Sequence, residues 1–179
     1  MKRGNGFLIL AAGLLIGAGI GIIVLFWGPR GSGKETQIPP AVGLEAADFS
    51  VSTLMGETIE MDSLRGQPVV LNFWATWCPP CKEEMPLLDT YAKDLTGKVF
   101  FLAVDAEEDD AVVQKYVDQS GVKLAIGMDR DGGVADRYFV HSFPVTFFID
   151  RDGIIRAQHI GQLNEKLLVK YLAEIGIEP

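Results

Sequence analysis

Cys78 and Cys81 are the only cysteines in the chain, and Pro79 and Pro80 separate them. A C-x-x-C pair can close a redox-active disulfide, supply half of a zinc site or form a structural crosslink. An all-Cys zinc site needs four cysteines and the chain holds 2, and with 2 His a site built mainly on imidazole is also disfavoured. A crosslink across so short a loop restrains little of the unfolded chain. The surroundings favour redox chemistry. The pair follows the apolar run Val69–Trp74 and opens a helical pattern, so Cys78 falls at a helix N-terminus. There, unpaired backbone N–H groups and the helix dipole stabilise a thiolate, the form that attacks disulfides. Cys81 lies within the same first turn, where the two sulfurs can bond without distorting the backbone. Pro79 and Pro80 are tolerated because first-turn N–H groups have no helical partner. They stiffen the loop and remove donors that would otherwise reach the thiolate. Trp77, beside the nucleophile, is placed to frame and shield it, whereas Trp74 belongs to the core.

The elements that must hold this pair alternate between strand and helix from residue 43 onward. Phe49–Leu54 and Thr58–Met61 form two short strands around Gly56. Val69–Trp74 is a strand buried on both faces. A helix over Pro79–Lys93 follows, then a strand over Val99–Val104 and a helix over 109–119. A short strand at 123–128 and a short helix near 133–139 come next. Thr146–Ile149 and Ile154–Ile160 flank Asp150-Arg151-Asp152-Gly153 and read as a hairpin. The last helix, 164–175, gathers Leu167, Leu168, Tyr171, Leu172 and Ile175 on one face. This order predicts an α/β fold with a central mixed sheet flanked by helices and an added N-terminal hairpin.

Composition sets the boundaries. With 48% apolar and 22% charged residues in 179, the chain is globular rather than disordered. A formal net charge of −8 argues against nucleic acid as a partner. The charge is unevenly spread: residues 1–40 sum to +3, which leaves −11 on the rest. Phe7–Trp27 carries no charge. As a helix it would be about 30 Å long, the thickness of a bilayer core. It exceeds the apolar region of a secretory signal, and no convincing small-x-small cleavage site or lipid-accepting Cys follows, which leaves a cleaved signal peptide as the lesser alternative. The expected organisation is a cytoplasmic N-terminus (1–6), a transmembrane signal anchor (7–27), a flexible linker (28–42) and a soluble domain (43–179). Lys2 and Arg3 favour a cytoplasmic N-terminus, and Trp27 suits an interfacial anchor. Gly13, Gly17 and Gly21 recur every fourth residue, a spacing common in membrane helices. Gly28–Lys34 nearly spells a phosphate-binding loop, but Glu35 stands where Ser or Thr must hold magnesium. Glu107-Glu108-Asp109-Asp110 reads as the solvated start of a helix, where acids suit the dipole.

Asp48-Phe49, Leu64-Arg65-Gly66, Val69–Pro86 and Phe143-Pro144-Val145-Thr146-Phe147-Phe148-Ile149-Asp150 resemble the TlpA/ResA-type membrane-anchored thiol–disulfide oxidoreductases of the thioredoxin superfamily. The resemblance spans residues 43–179. It implies that Cys78 is the exposed attacking thiol, Cys81 the resolving thiol and Pro144 a cis-proline facing them. Trp77, Pro79, Pro80, Phe143, Pro144 and Val145 would then line the client groove, with Phe143 held open for strand pairing. Pro86 matches a helix proline of such proteins. Thioredoxins place a buried Asp six residues before the first Cys, and Asn72 stands there in this chain. Glu84 matches a glutamate that the family places near the thiols, where it could take the Cys81 proton. Val145 and the bulky Phe143 depart from the usual groove. His141 sits three residues before Pro144, and His159 reads as structural.

The implied reaction is dithiol–disulfide exchange without flavin, nicotinamide or metal. Its partners would be disulfide-bearing extracytoplasmic proteins, apocytochrome c among them, and a membrane thiol-relay electron donor. The C-x-x-C pair does not encode direction, so an oxidant of the same fold is an alternative. Another is a copper-handling protein using Cys78, Cys81 and His141, although such proteins usually space their cysteines by three residues. A peroxidase reading fits poorly with a second Cys in the same turn.

Overall fold

Every residue of the run Val69–Trp74 is buried, and the sheet is built outward from it. A computed structural model describes residues 39–178. The apolar span 7–27 and most of the 28–42 linker lie outside them. Among the described residues no helix is long and apolar enough to cross a membrane.

Among the described residues seven strands are present: β1 (Ser50–Thr53), β2 (Thr58–Glu60), β3 (Val69–Trp74), β4 (Phe100–Ala106), β5 (Ala125–Asp129), β6 (Val145–Ile149) and β7 (Ile155–Ile160). Their order across the sheet is β2-β1-β5-β4-β3-β6-β7. β4 runs parallel to both β3 and β5, and the other pairings are antiparallel. Parallel neighbours need a crossover. Helix α1 (Pro79–Asp94) joins β3 to β4, and α2 (Asp110–Ser120) joins β4 to β5. α3 (Gly133–Arg137) precedes β6, and α4 (Glu165–Glu174) follows β7.

Side chains alternate across the sheet. Val70, Phe101 and Phe148 meet Leu88 of α1 and Leu168 and Leu172 of α4 on one face. On that face Trp74 and Ala103 pack with Cys81 and Met85 of α1 and Val113 of α2. Leu71, Phe73, Leu102, Val104 and Phe147 meet Phe49, Met61, Val134 and Tyr138 on the other. The Tyr138 hydroxyl is satisfied by the Ala47 carbonyl at 2.8 Å.

The mixed sheet, the added hairpin β1–β2 and the flanking helices match the expectation. The hairpin at 150–153 is held by Asp150, whose Oδ1 accepts from Asp152 N at 2.9 Å and Ile154 N at 3.0 Å. Most element ends shift by a residue or two, and two of these differences have a clear physical reason. β4 continues past Val104 through Asp105 and Ala106, because both pair with β5. The helix expected near 133–139 stops at Arg137, and Phe139 adopts a left-handed φ of 54° that cannot continue it.

Candidate active site

β3 ends at Trp74, and the chain turns through Ala75, Thr76 and Trp77 into α1. Cys78 is the N-cap of α1, its own N–H bonded to the Ala75 carbonyl at 3.2 Å. Cys78 and Cys81 form a disulfide with S–S 2.05 Å. Pro79 and Pro80 fill the first two helical positions, so neither offers an N–H. The Cys81 N–H does reach the Cys78 Sγ, at 3.3 Å. It is therefore the first-turn donor available to a Cys78 thiolate. Cys81 is fully buried, and Cys78 retains 4% exposure. The expectation of an exposed Cys78 is thus corrected. Bonded to Cys81, Cys78 packs in a cluster with Trp74, Ala75 and Met85, against which Phe143 also lies. The residual exposure of the pair is on Cys78 and not on Cys81.

Trp77 is 65% exposed and stands edge-on to Phe143, with ring centroids 5.7 Å apart. The two rings and His141 line a hollow of about 270 Å³ together with Ala106, Glu107 and Val140. The Phe143–Pro144 peptide is cis, as the resemblance implied. Among the described residues, no backbone group pairs with the Phe143 N–H or C=O. Val145 was expected in the groove, and the structure corrects this. It is paired with Phe73 and Ile160, and its side chain is buried in the core on the face opposite α1. Pro79 is exposed and Pro80 half-buried beside the disulfide. Among the described residues no three His, Cys, Asp or Glu side chains cluster as a metal site, so His141 does not join the cysteines in one. His159 lies apart from the site, beside the Tyr171 ring and the Gln162 carbonyl.

Glu84 is 1% exposed and lies one turn beyond Cys81 on the same buried side of α1. Its Oε1 accepts from Asn72 Nδ2 at 2.8 Å, and its Oε2 accepts from Leu163 N at 2.6 Å. Asn72 also donates to Thr146 Oγ1 at 2.9 Å, which ties β3, α1, β6 and the start of the α4 segment together. Burial pushes the Glu84 carboxyl up to about 7, against the opposing pull of its two donors. A group that titrates near neutrality can accept a proton at one stage of exchange and release it at another. Asn72, at the position where thioredoxins carry an acid, here presents its amide to a carboxylate supplied by α1.

Two site-proximal residues, Glu108 and Asp105, escaped the sequence reading. Glu108 does not belong to a wholly solvated helix start. Its Oε1 accepts from Thr76 Oγ1 at 2.6 Å and its Oε2 from the Thr76 N–H, so it grips the turn leading to Cys78. Asp105, on β4 opposite Trp74, is fully buried beside it. An acid inside the apolar run Phe100–Ala106 was the available signal, because acids are almost never fully buried without a partner. Two of the acids in the run 107–110 behave as expected: Asp109 is exposed, and Asp110 forms a two-point pair with Arg130 at 2.7 Å.

A thioredoxin-like sheet that presents a C-x-x-C disulfide at the start of its crossover helix, opposite a cis-proline, defines a thiol–disulfide oxidoreductase. The comparisons agree. Residues 42–158 match the AhpC/TSA family. The thiol-disulfide oxidoreductase ResA of Bacillus thuringiensis (strain Al Hakam) is 37% identical over 98% of this chain and 99% of its own. The thioredoxin-like protein YneN of Bacillus subtilis (strain 168) is 35% identical over 83% of this chain and 91% of its own. A thiol:disulfide interchange protein DsbE from Chlorobium tepidum superposes with a TM-score of 0.71 at 27% identity, covering 76% of this chain and 99% of that one. The chain belongs to the ResA-like thiol–disulfide oxidoreductases within the AhpC/TSA family.

Proposed function

We propose that this enzyme is a reductant of protein disulfides outside the cytoplasm, tethered by residues 7–27. Cys78 attacks a client disulfide, and Cys81 then attacks Cys78 and releases the reduced client. Glu84 takes the Cys81 proton during that second step. The client strand docks against Trp77 and Phe143 and pairs with the open Phe143 backbone. Clients include apocytochrome c before haem attachment. A membrane thiol-relay protein returns the electrons, because the chain has no third cysteine.

The observation that carries the direction is the donor count at Cys78. With prolines in the first two helical positions, the Cys81 N–H is the first-turn donor to the sulfur. A poorly stabilised thiolate disfavours the dithiol state, which makes the dithiol the better reductant. Strong oxidants of this superfamily work the opposite way, through a stabilised reduced form. The test is the reduction potential of the full chain, equilibrated against dithiothreitol and glutathione buffers. A value near or below about −270 mV supports the reading, and one near about −120 mV overturns it in favour of an oxidant. Cys81→Ala then traps clients as mixed disulfides on Cys78. Recovery of apocytochrome c among them is expected, and its absence would remove that client from the proposal.

A further inference from the structure

Neither oxygen of the Asp105 carboxyl receives a hydrogen bond from any N–H or O–H group, although the residue is 0% exposed. A buried carboxylate without donors is costly, and the usual resolution is to bind a proton. The side chain that acts most strongly on Asp105 is itself a carboxyl, that of Glu108, three residues on. Glu108 in turn accepts from both the N–H and the hydroxyl of Thr76. Thr76 lies between the end of β3 and Cys78. Four groups therefore run in series from the sheet to the nucleophile: Asp105, Glu108, Thr76 and the Cys78 cap.

We propose that Asp105 is held protonated against Glu108, and that this pair is a positioning device holding the Thr76–Cys78 turn against the sheet. The proton sits on Asp105, whose O–H donates to the ionised Glu108. Glu108 thereby keeps both oxygens charged and available to Thr76. Losing that proton to solvent would set two carboxylates face to face with no donor between them. They would repel, Glu108 would move off Thr76, and the start of α1 would loosen at Cys78.

The charged groups that act on Asp105 are all acidic. Glu108 follows β4, and Asp129 comes from β5. β3 contributes the neutral Trp74 indole, whose Nε1 is itself unpaired. Burial, then Glu108, then Asp129 push the Asp105 carboxyl up to about 8. The Glu108 N–H opposes them weakly without closing a hydrogen bond. The device thus holds at neutral pH and fails in mildly alkaline conditions. It rests on the exchange chemistry of the Cys78–Cys81 pair and is independent of the direction in which electrons flow.

The test compares the full reduced chain with Asp105→Asn and Asp105→Ala. Asparagine offers Glu108 an N–H donor that cannot titrate, and alanine offers none. The readout is the rate of Cys78 alkylation by iodoacetamide against pH. Releasing the turn and adding a negative charge both raise the Cys78 thiol pKa. The unmodified chain should therefore match Asp105→Asn near about pH 6.5 and fall behind it about threefold above about pH 8, the equivalent of half a pKa unit. Asp105→Ala should fall behind at both. Superimposable profiles for the unmodified chain and Asp105→Asn would overturn the proposal. Carbon-13 carboxyl NMR on the unmodified chain needs no variant. One aspartate should titrate near about pH 8, and overturning follows if all titrate below about pH 5.

Discussion

Glu84 and Asp105 are buried to the same depth, at 1% and 0% exposure, and both lie on the α1 side of the sheet near the disulfide. They differ in what points at them. Glu84 receives Asn72 Nδ2 and the Leu163 N–H. Asp105 receives no donor and faces two acids. Burial raises both, but the donors stop Glu84 at about 7, whereas Asp105 goes to about 8 from a lower starting value. For these two buried acids, the donors aimed at the carboxyl and the acids beside it therefore set how far burial raises it. Glu84 changes protonation near neutrality. Asp105 keeps its proton through that range and serves structure.

The largest expected effect is on the resolving step. General-base assistance is worth roughly 10²–10⁴-fold. Glu84→Gln should slow the decay of a Cys78–client mixed disulfide by about 10²-fold at neutral pH. The unmodified enzyme should also lose rate as pH falls through about 7, when Glu84 becomes protonated, and the variant should lack that limb. Rapid-quench measurement of the mixed disulfide at several pH values checks both. Equal decay rates would reduce Glu84 to a structural acid and erase its difference from Asp105.

Stability gives the next largest effect. The Glu84 carboxyl is raised from its ordinary 4.5 to about 7 in the folded chain. Between those values the folded chain holds a proton that the unfolded chain has released. Its contribution is fully present below the lower value and is lost as pH rises through the upper one. The size is up to about 3 kcal/mol. Asp105 acts with the same sign over a window that extends to about 8. Denaturant unfolding between about pH 5 and about pH 9 should show falling stability in the unmodified chain. The loss should be smaller in Glu84→Gln or Asp105→Asn and nearly absent in the double variant. A flat profile in the unmodified chain would mean that neither acid is held protonated.

The two regions also differ in how far the sequence revealed them. Cys78, Cys81 and the start of α1 were legible because they are local, depending on spacing and on proline tolerance in a first turn. The 150–153 hairpin was legible for the same reason. Glu84 was found through a motif, but its partners were not, since Asn72 and Leu163 reach it from β3 and the approach to α4. The Asp105–Glu108–Thr76 series depends on the parallel register of β3 and β4, which no local pattern encodes. The four consecutive acids concealed it, because three exposed carboxylates and one clamped carboxylate look alike in sequence. Val145 was misplaced by one step of strand alternation: Thr146 faces the Asn72–Glu84 network, and Val145 faces the opposite core.

The smallest expected effect applies the same donor count to the cysteine itself. The Cys81 N–H is the first-turn donor to Cys78 Sγ because Pro79 and Pro80 have none. Replacing either proline by alanine restores one N–H at the N-terminus of α1, where unpaired N–H groups and the helix dipole favour a nearby thiolate. One such group at a helix end is worth about 0.3–1 kcal/mol, or roughly half a pKa unit on the thiol. Pro79→Ala and Pro80→Ala should each lower the Cys78 pKa by about that much. They should also raise the reduction potential by about 10–20 mV, since the dithiol state gains the stabilisation. The ultraviolet absorbance of the thiolate and redox equilibration read the two quantities separately. A pKa that falls while the potential stays constant would show that the disulfide state gains equally, and donor count at Cys78 would then not govern direction. If both move together, the same physical rule accounts for three groups around one disulfide: a base with two donors, a proton-holding acid with none, and a nucleophile left deliberately short.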